Sequence, residues 1–224
     1  MSIEHWELVQ RQRGNIAGAE MARVLRNQFG DIPFPSIPTP ESPVEIKRFS
    51  DEQKEALRKE GYLIYGLTGQ SIKTLRDAGR KFWSTWHEDS QFANLEALGS
   101  MQSEVAINPS KLFLPKSDNK TLAQQEDMVD KFSQELGKKV QGVKAIIGQA
   151  SDYVELAFQH LDATQDYLFG KKYNYDWART KTSISSSSVA NVGSFHAAHG
   201  LEVNYWYHGF GHDHMRAAPL VVPA

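Results

Sequence analysis

The 224-residue sequence predicts a mixed α+β fold, with helices packed on a small irregular antiparallel sheet. Three observations carry that expectation. Pairs of a hydroxyl residue and a glutamine three positions on mark helix starts. Short apolar, β-rich runs end at glycines. Beyond Gly170 the helix formers thin out, and WARTKTSISSSSVANVGSF is β-branched, serine-rich and turn-rich.

Taken in order, residues 1–30 read as a helix whose second half sets Met21, Val24, Leu25 and Phe29 on one face, with Gly14 and Gly18 weakening its middle. Five of the nine prolines then fall between Pro33 and Pro43. Such a stretch is extended and stiff, so residues 1–45 read as a helix and Pro-rich arm, open to a role in homo-oligomerisation. The domain proper spans 46–224. Ser50 with Gln53 starts a helix that Gly61 ends. YLIYG (62–66) is strand-like, Ser71–Ala78 helical with Ile72 and Leu75 inward, and KFWSTW aromatic and β-prone. Thr121 with Gln124 opens a longer helix, where Leu122, Val129, Phe132 and Leu136 form a core stripe. VKAII (143–147) reads as a buried strand. Ser151 is expected to cap a helix with Val154, Ala157, Phe158 and Leu161 inward. Strands and loops close the chain.

Composition excludes several chemistries. Without cysteine there is no thiol nucleophile, thiolate zinc site or iron–sulfur cluster. A formal net charge of −2 and only two adjacent basic pairs, Lys138-Lys139 and Lys171-Lys172, argue against nucleic acid. No apolar run is long enough to span a membrane. The start has no basic-then-apolar leader, so the expectation is a cytoplasmic protein, with surface or virion display left open. GQSIKTL lacks the Gly-Lys-Ser/Thr of a phosphate loop, and neither a G-x-S-x-G elbow nor H-E-x-x-H occurs. No catalytic residue and no cofactor is therefore assigned.

One region stands apart. Five of the eight histidines lie in FHAAHGLEVNYWYHGFGHDHM, ending at Met215. A metal-binding protein or metal-dependent enzyme is one reading, since His212-x-His214 is spaced to chelate. A binding surface is the other: rigid aromatics supply contact area at low entropy cost, and short polar side chains supply hydrogen bonds. Leu201, Val203 and Trp206 read as core.

WARTKT, VANVGSF, GLEVNYW and RAAPLVVPA together resemble the C-terminal variable region of diversity-generating retroelement target proteins. The resemblance is specific over about residues 177–224. It implies a C-type lectin-like fold related to the formylglycine-generating enzymes, and a variable region at about 195–216. In such systems template adenines are mutated on copying, so asparagine codons become any-any-pyrimidine codons, which never encode Lys, Gln, Glu, Met or Trp. His196, Ala197, Ala198, His199, Asn204, Tyr205, Tyr207, His208, Phe210, His212, Asp213 and His214 are all encodable that way. Glu202, Trp206 and Met215 are not.

The resemblance implies a non-enzymatic binder of a macromolecular ligand, expected to be a protein. His196, Ala198, His199, Asn204, Tyr205, Tyr207, His208, Phe210, His212, Asp213 and His214 would make the binding surface. Trp177, Phe195, Leu201 and Trp206 would be its scaffold. Formylglycine-generating activity requires active-site cysteines, which this chain lacks. The Glu-Pro-Asn, Gln-Pro-Asp and Trp-Asn-Asp triplets of calcium-dependent lectins are also missing, so no metal site is implied.

Overall fold

The computed structural model describes residues 46–83 and 93–224, with Arg23. The expected N-terminal helix and Pro-rich arm, Arg23 apart, lie outside these residues, as does the end of KFWSTW. The chain divides into two units, Met1–Val44 and Glu45–Ala224, and the described strands all belong to the second.

Helix α1 (Asp51–Lys59) starts where expected. The Gln53 amide donates to Ser50 Oγ at 3.2 Å, and Ser50's own amide donates to Gln53 Oε1 at 2.9 Å. Two orphan donors of the first turn are thereby satisfied. Gly61, at φ +84°, turns the chain into β1 (Leu63–Thr68). Helix α2 (Ile72–Asp77) buries Ile72 and Leu75, and α3 (Ala93–Ala97) leads to β2 (Gln102–Ile107). Helix α4 (Leu122–Lys139) carries the Thr121–Gln124 capping box. Its stripe buries Val129 and Leu136, with Leu122 and Phe132 partly covered beside them.

Strand β3 (Val143–Ile146) then precedes α5 (Ala150–Thr164). Here one expectation is corrected: Gln149, not Ser151, is the N-cap residue. Asp152 Oδ2 accepts the Gln149 amide at 2.6 Å, while Oδ1 accepts the Met101 amide at 2.7 Å. An ionisable carboxylate serving two amides outcompetes a neighbouring hydroxyl. Ser151 is instead buried inside the first turn. Helix α5 is buried almost all round because a sheet lies on each side of it.

The first sheet has the order β1-β2-β8-β3, in which β8 (Leu220–Pro223) is the C-terminal strand. Val221 pairs with Ala106 on one side and Ala145 on the other. Both faces of this sheet are covered. Leu220, Val222, Val105 and Ile107 join the core around α5, whereas Val221, Ala106 and Ala145 join the core under α1 and α4. A strand buried on both faces reads as an unbroken apolar run, which explains LVV.

The second sheet has the order β6-β5-β4-β7. It comprises β4 (Trp177–Ser183), β5 (Ser188–His196), β6 (Gly200–Tyr207) and β7 (Met215–Arg216), the last parallel to β4. Ala178, Ala190, Val192, Leu201 and Val203 pack into the α5 core. The other face, through Trp177, Arg179, Asn191, Asn204, Trp206 and Met215, carries the features described below for the site.

Two buried groups tie α5 to the first sheet. Glu155 accepts from Thr68 N at 3.0 Å, Thr68 Oγ1 at 2.8 Å and Gln70 N at 3.3 Å, and also from Ser100 Oγ. His160 places Nδ1 2.7 Å from the Tyr65 hydroxyl, and its Nε2 has no partner among the described residues. Burial holds the His160 imidazole below its usual range. The unfolded chain therefore takes up its proton first, at about pH 6.5. His160's contribution is complete above that pH and declines as pH falls through it toward the lower folded value. His160→Asn should remove this acid-side slope, so the stability difference between wild type and variant should shrink from pH 7 to pH 5. Denaturation midpoints at the two pH values check it; a constant difference would contradict it.

Candidate functional site

The segment 195–216 is built on two supports. The first is β5 and β6, whose facing pairs include Asn191↔Asn204, Val189↔Trp206 and His196↔Gly200. Phe195 and Leu201 root this hairpin in the core; Phe195 meets Phe158 and Tyr167 edge-on at 5.3 and 4.8 Å. The second is the loop 208–214, which returns to β7 across the outer face of the sheet.

That loop is held largely through its own backbone. Arg179, fully buried on β4, aims Nη1 at the carbonyls of Tyr207 and His208, at 3.2 and 3.3 Å, and Nη2 at that of Phe210, at 2.8 Å. Burial lowers this guanidinium to a pKa of about 10, still charged at neutral pH. The Asn119 amide donates to His212 O at 2.9 Å, that of Leu122 to His208 O at 2.8 Å, and that of Trp177 to His214 O at 2.8 Å. Buried Gln125 donates Nε2 to Met215 O at 3.1 Å. At the hairpin tip, Lys81 Nζ donates to the Ala198 carbonyl. Main-chain carbonyls are present whatever the side chain, so these bonds place no demand on residue type.

The side chains point away from those anchors. Ala198, His199, Tyr205, Tyr207, His208, Phe210, Asp213 and His214 are exposed, and His196, Asn204 and His212 are half-buried. Phe210 is 66% and Tyr207 50% exposed, among the most exposed large apolar side chains described. They form two groups. His196 stacks on Tyr175 at 4.1 Å and His199 lies 4.0 Å from Trp83, ring centre to ring centre. Trp206, Tyr207, Phe210, His212 and His214 form the other, with Trp206–His212 at 5.0 Å and Tyr207–Phe210 at 5.8 Å.

The histidines are thus divided, and several ring nitrogens are engaged. His214 Nδ1 donates to buried Asp176 at 2.9 Å, His208 Nε2 to Ser186 O at 3.2 Å, and His212 Nδ1 accepts the His214 amide at 3.1 Å. Among the described residues no group of three or more His, Asp or Glu side chains is placed to hold a metal ion. The alternative metal reading therefore finds no ligand set in this geometry.

Of the scaffold residues, Phe195 and Leu201 are core and Trp177 is half-buried against Gly193. Trp206 corrects the expectation that it is core. It lies on the outer face of β6 and, with Trp177, Asn191, Asn204, Tyr205, Tyr207, His212 and Met215, lines a cavity of about 400 Å³. Strand alternation explains this: Leu201 and Val203 point inward, so Asn204 and Trp206 point the other way.

Sequence reasoning missed Arg179, Asn191, Asp176 and the brace formed by Asn119, Leu122 and Gln125. A charged residue amid the strand WARTKT is a signal that could have found Arg179. The brace leaves none, because it acts mostly through main-chain atoms distant in sequence.

No protein-family model matches this chain, and no curated protein or solved structure was found to match it. No helix among the described residues is long and apolar enough to cross a membrane.

Proposed function

We propose that this chain is a non-enzymatic binding protein with a C-type lectin-like fold, whose surface at about 195–216 is diversified by a retroelement and recognises a protein ligand. One observation supports the reading above the rest. The carbonyls of Ala198, Tyr207, His208, Phe210, His212 and His214 are bound by residues outside the segment. Most of their side chains project outward, and only His208, His212 and His214 add side-chain bonds to this frame. A surface meant to change its side chains while keeping its shape requires this division of labour. The abundance of exposed Tyr, Phe and His fits recognition of a protein surface.

The reading predicts that the exposed positions tolerate replacement together. His199, Tyr205, Tyr207, Phe210 and Asp213 should each change to Ala at a cost within about 0.5 kcal/mol, and His208 and His214, which bond Ser186 O and Asp176, at about 1 kcal/mol. Leu201→Ala, in the core beneath them, should cost about 3 kcal/mol. Denaturant midpoints across the set check this. A large loss at several exposed positions would mean that their side chains hold the fold, and the proposal would fail.

A further inference from the structure

The cavity on the outer face of the second sheet is lined by two residues that each carry a buried polar atom with no partner among the described residues. Asn191 is only 2% exposed, and its Oδ1 is buried and unpaired. Trp206 presents an equally unpaired indole Nε1–H. Both side chains line the same cavity. An acceptor and a donor left unsatisfied cost stability, so each needs an explanation. The surrounding walls are aromatic: Trp177, Trp206, Tyr205 and Tyr207, with His212 and the Met215 thioether.

We propose that this cavity is an anchor pocket for a phenol ring, the side chain of a tyrosine on the protein ligand. A hydroxyl is suited to the pair because, once the Asn191 amide and the Trp206 indole turn toward the space, it donates to Asn191 Oδ1 while accepting from Trp206 Nε1–H. A carboxylate would leave the Asn191 oxygen facing another acceptor. A cation would sit near buried Arg179, the register partner of Asn191 on the same face of the sheet. At about 400 Å³ the space lies at the small end of ligand pockets, fit for one ring rather than an extended molecule.

The pocket also has an uneven make-up. Trp177 and Asn191 precede the segment 195–216, and Trp206 and Met215 have codons that adenine mutation of asparagine codons cannot produce. The rim, Asn204, Tyr205, Tyr207 and His212, is drawn from the positions proposed to vary. A constant floor would seize a common side chain and a changing rim would select its neighbours. This deepens the binding reading and rests on it, yet the floor can be tested whether or not the rim varies.

The probes are p-cresol, N-acetyltyrosinamide and toluene, titrated into the full chain while the Trp206 indole N–H resonance is followed. p-Cresol and N-acetyltyrosinamide should bind saturably at about millimolar concentration and shift that resonance. Toluene should bind at least about tenfold more weakly. Asn191→Leu should melt no lower than wild type, because it removes an unpaired buried atom, and should lose the preference for p-cresol over toluene. Trp206→Phe should lose the same preference. Equal binding of toluene and p-cresol, or an unmoved Trp206 resonance, would overturn the proposal. So would destabilisation by Asn191→Leu, which would make Asn191 structural. Binding of p-cresol without N-acetyltyrosinamide would overturn the assignment to a ligand's tyrosine. Failure of these titrations leaves the diversified surface to be judged by its own replacements and by its gene.

Discussion

Gly200→Ala should destabilise the protein by about 4 kcal/mol, the sum of a strained left-handed backbone and a steric clash. Gly200 opens β6 at φ +94°, and a Cβ there would stand 2.2 Å from the Lys81 carbonyl oxygen and 2.8 Å from the Phe82 nitrogen. Neither neighbour can yield cheaply. Lys81 O accepts the Leu201 amide at 3.0 Å, and Leu201 O accepts the Trp83 amide at 3.0 Å, so the clash lands on backbone that is itself paired. Gly209 is the internal control. It also lies within 195–216, but nothing stands within 4 Å of its Cβ position. Gly209→Ala should be neutral, or stabilise by about 0.5 kcal/mol through the unfolded chain. Denaturant unfolding of both variants decides it. Similar midpoints would show that the tip of the hairpin is not held as described.

Arg179→Leu is the second large effect, about 3 kcal/mol. Three carbonyls would lose a charged donor, and each such bond contributes roughly 1.5–3 kcal/mol. Against this, a cation whose burial already lowers its pKa to about 10 would no longer be desolvated, which offsets part of the loss. The effect should also be local. Tyr207, His208 and Phe210 hang from the guanidinium, so amide exchange over 207–214 should rise far more than in β2 or α5. Arg179→Lys should resemble the leucine variant, because an ammonium lacks the planar fork that reaches separate carbonyls. Unchanged exchange in the loop would remove Arg179 from its place as the loop's main anchor.

How much of this was legible in the sequence depends on whether a feature is local. The capping boxes at Ser50 and Thr121, the strand after Gly61, the Val129–Leu136 stripe and the VKAI strand all follow from residues within a few positions of one another. Strand β2, QSEVAI, was not foreseen. Its alternation is imperfect, since Val105, Ala106 and Ile107 are all buried between sheet neighbours far away in the chain. Ser151 misled because the helix starts two residues earlier, at Gln149, whose amide Asp152 accepts from three positions on. The histidine-rich segment stands out as a candidate site by composition alone. Its inner side was not. Trp206 looked like core because a tryptophan between tyrosines usually is, and only the strand register places it on the outer face beside Asn191. Arg179 matters through carbonyls supplied by a loop that begins some thirty residues later, as its bond to Tyr207 shows.

Side chains that change over an unchanging backbone leave their record in the gene. The locus and its flank should be sequenced across many cells of the source population. Differences should cluster at codons 196, 198, 199, 204, 205, 207, 208, 210 and 212–214, beside a near-copy that differs at adenines. They should spare Gly193, Phe195, Gly200, Leu201 and Val203, whose side chains or close backbone contacts hold the hairpin, and Trp206 with Asn191 in the pocket floor. A segment identical in every cell, with no near-copy, would contradict the account and leave the histidine-rich surface as a fixed site.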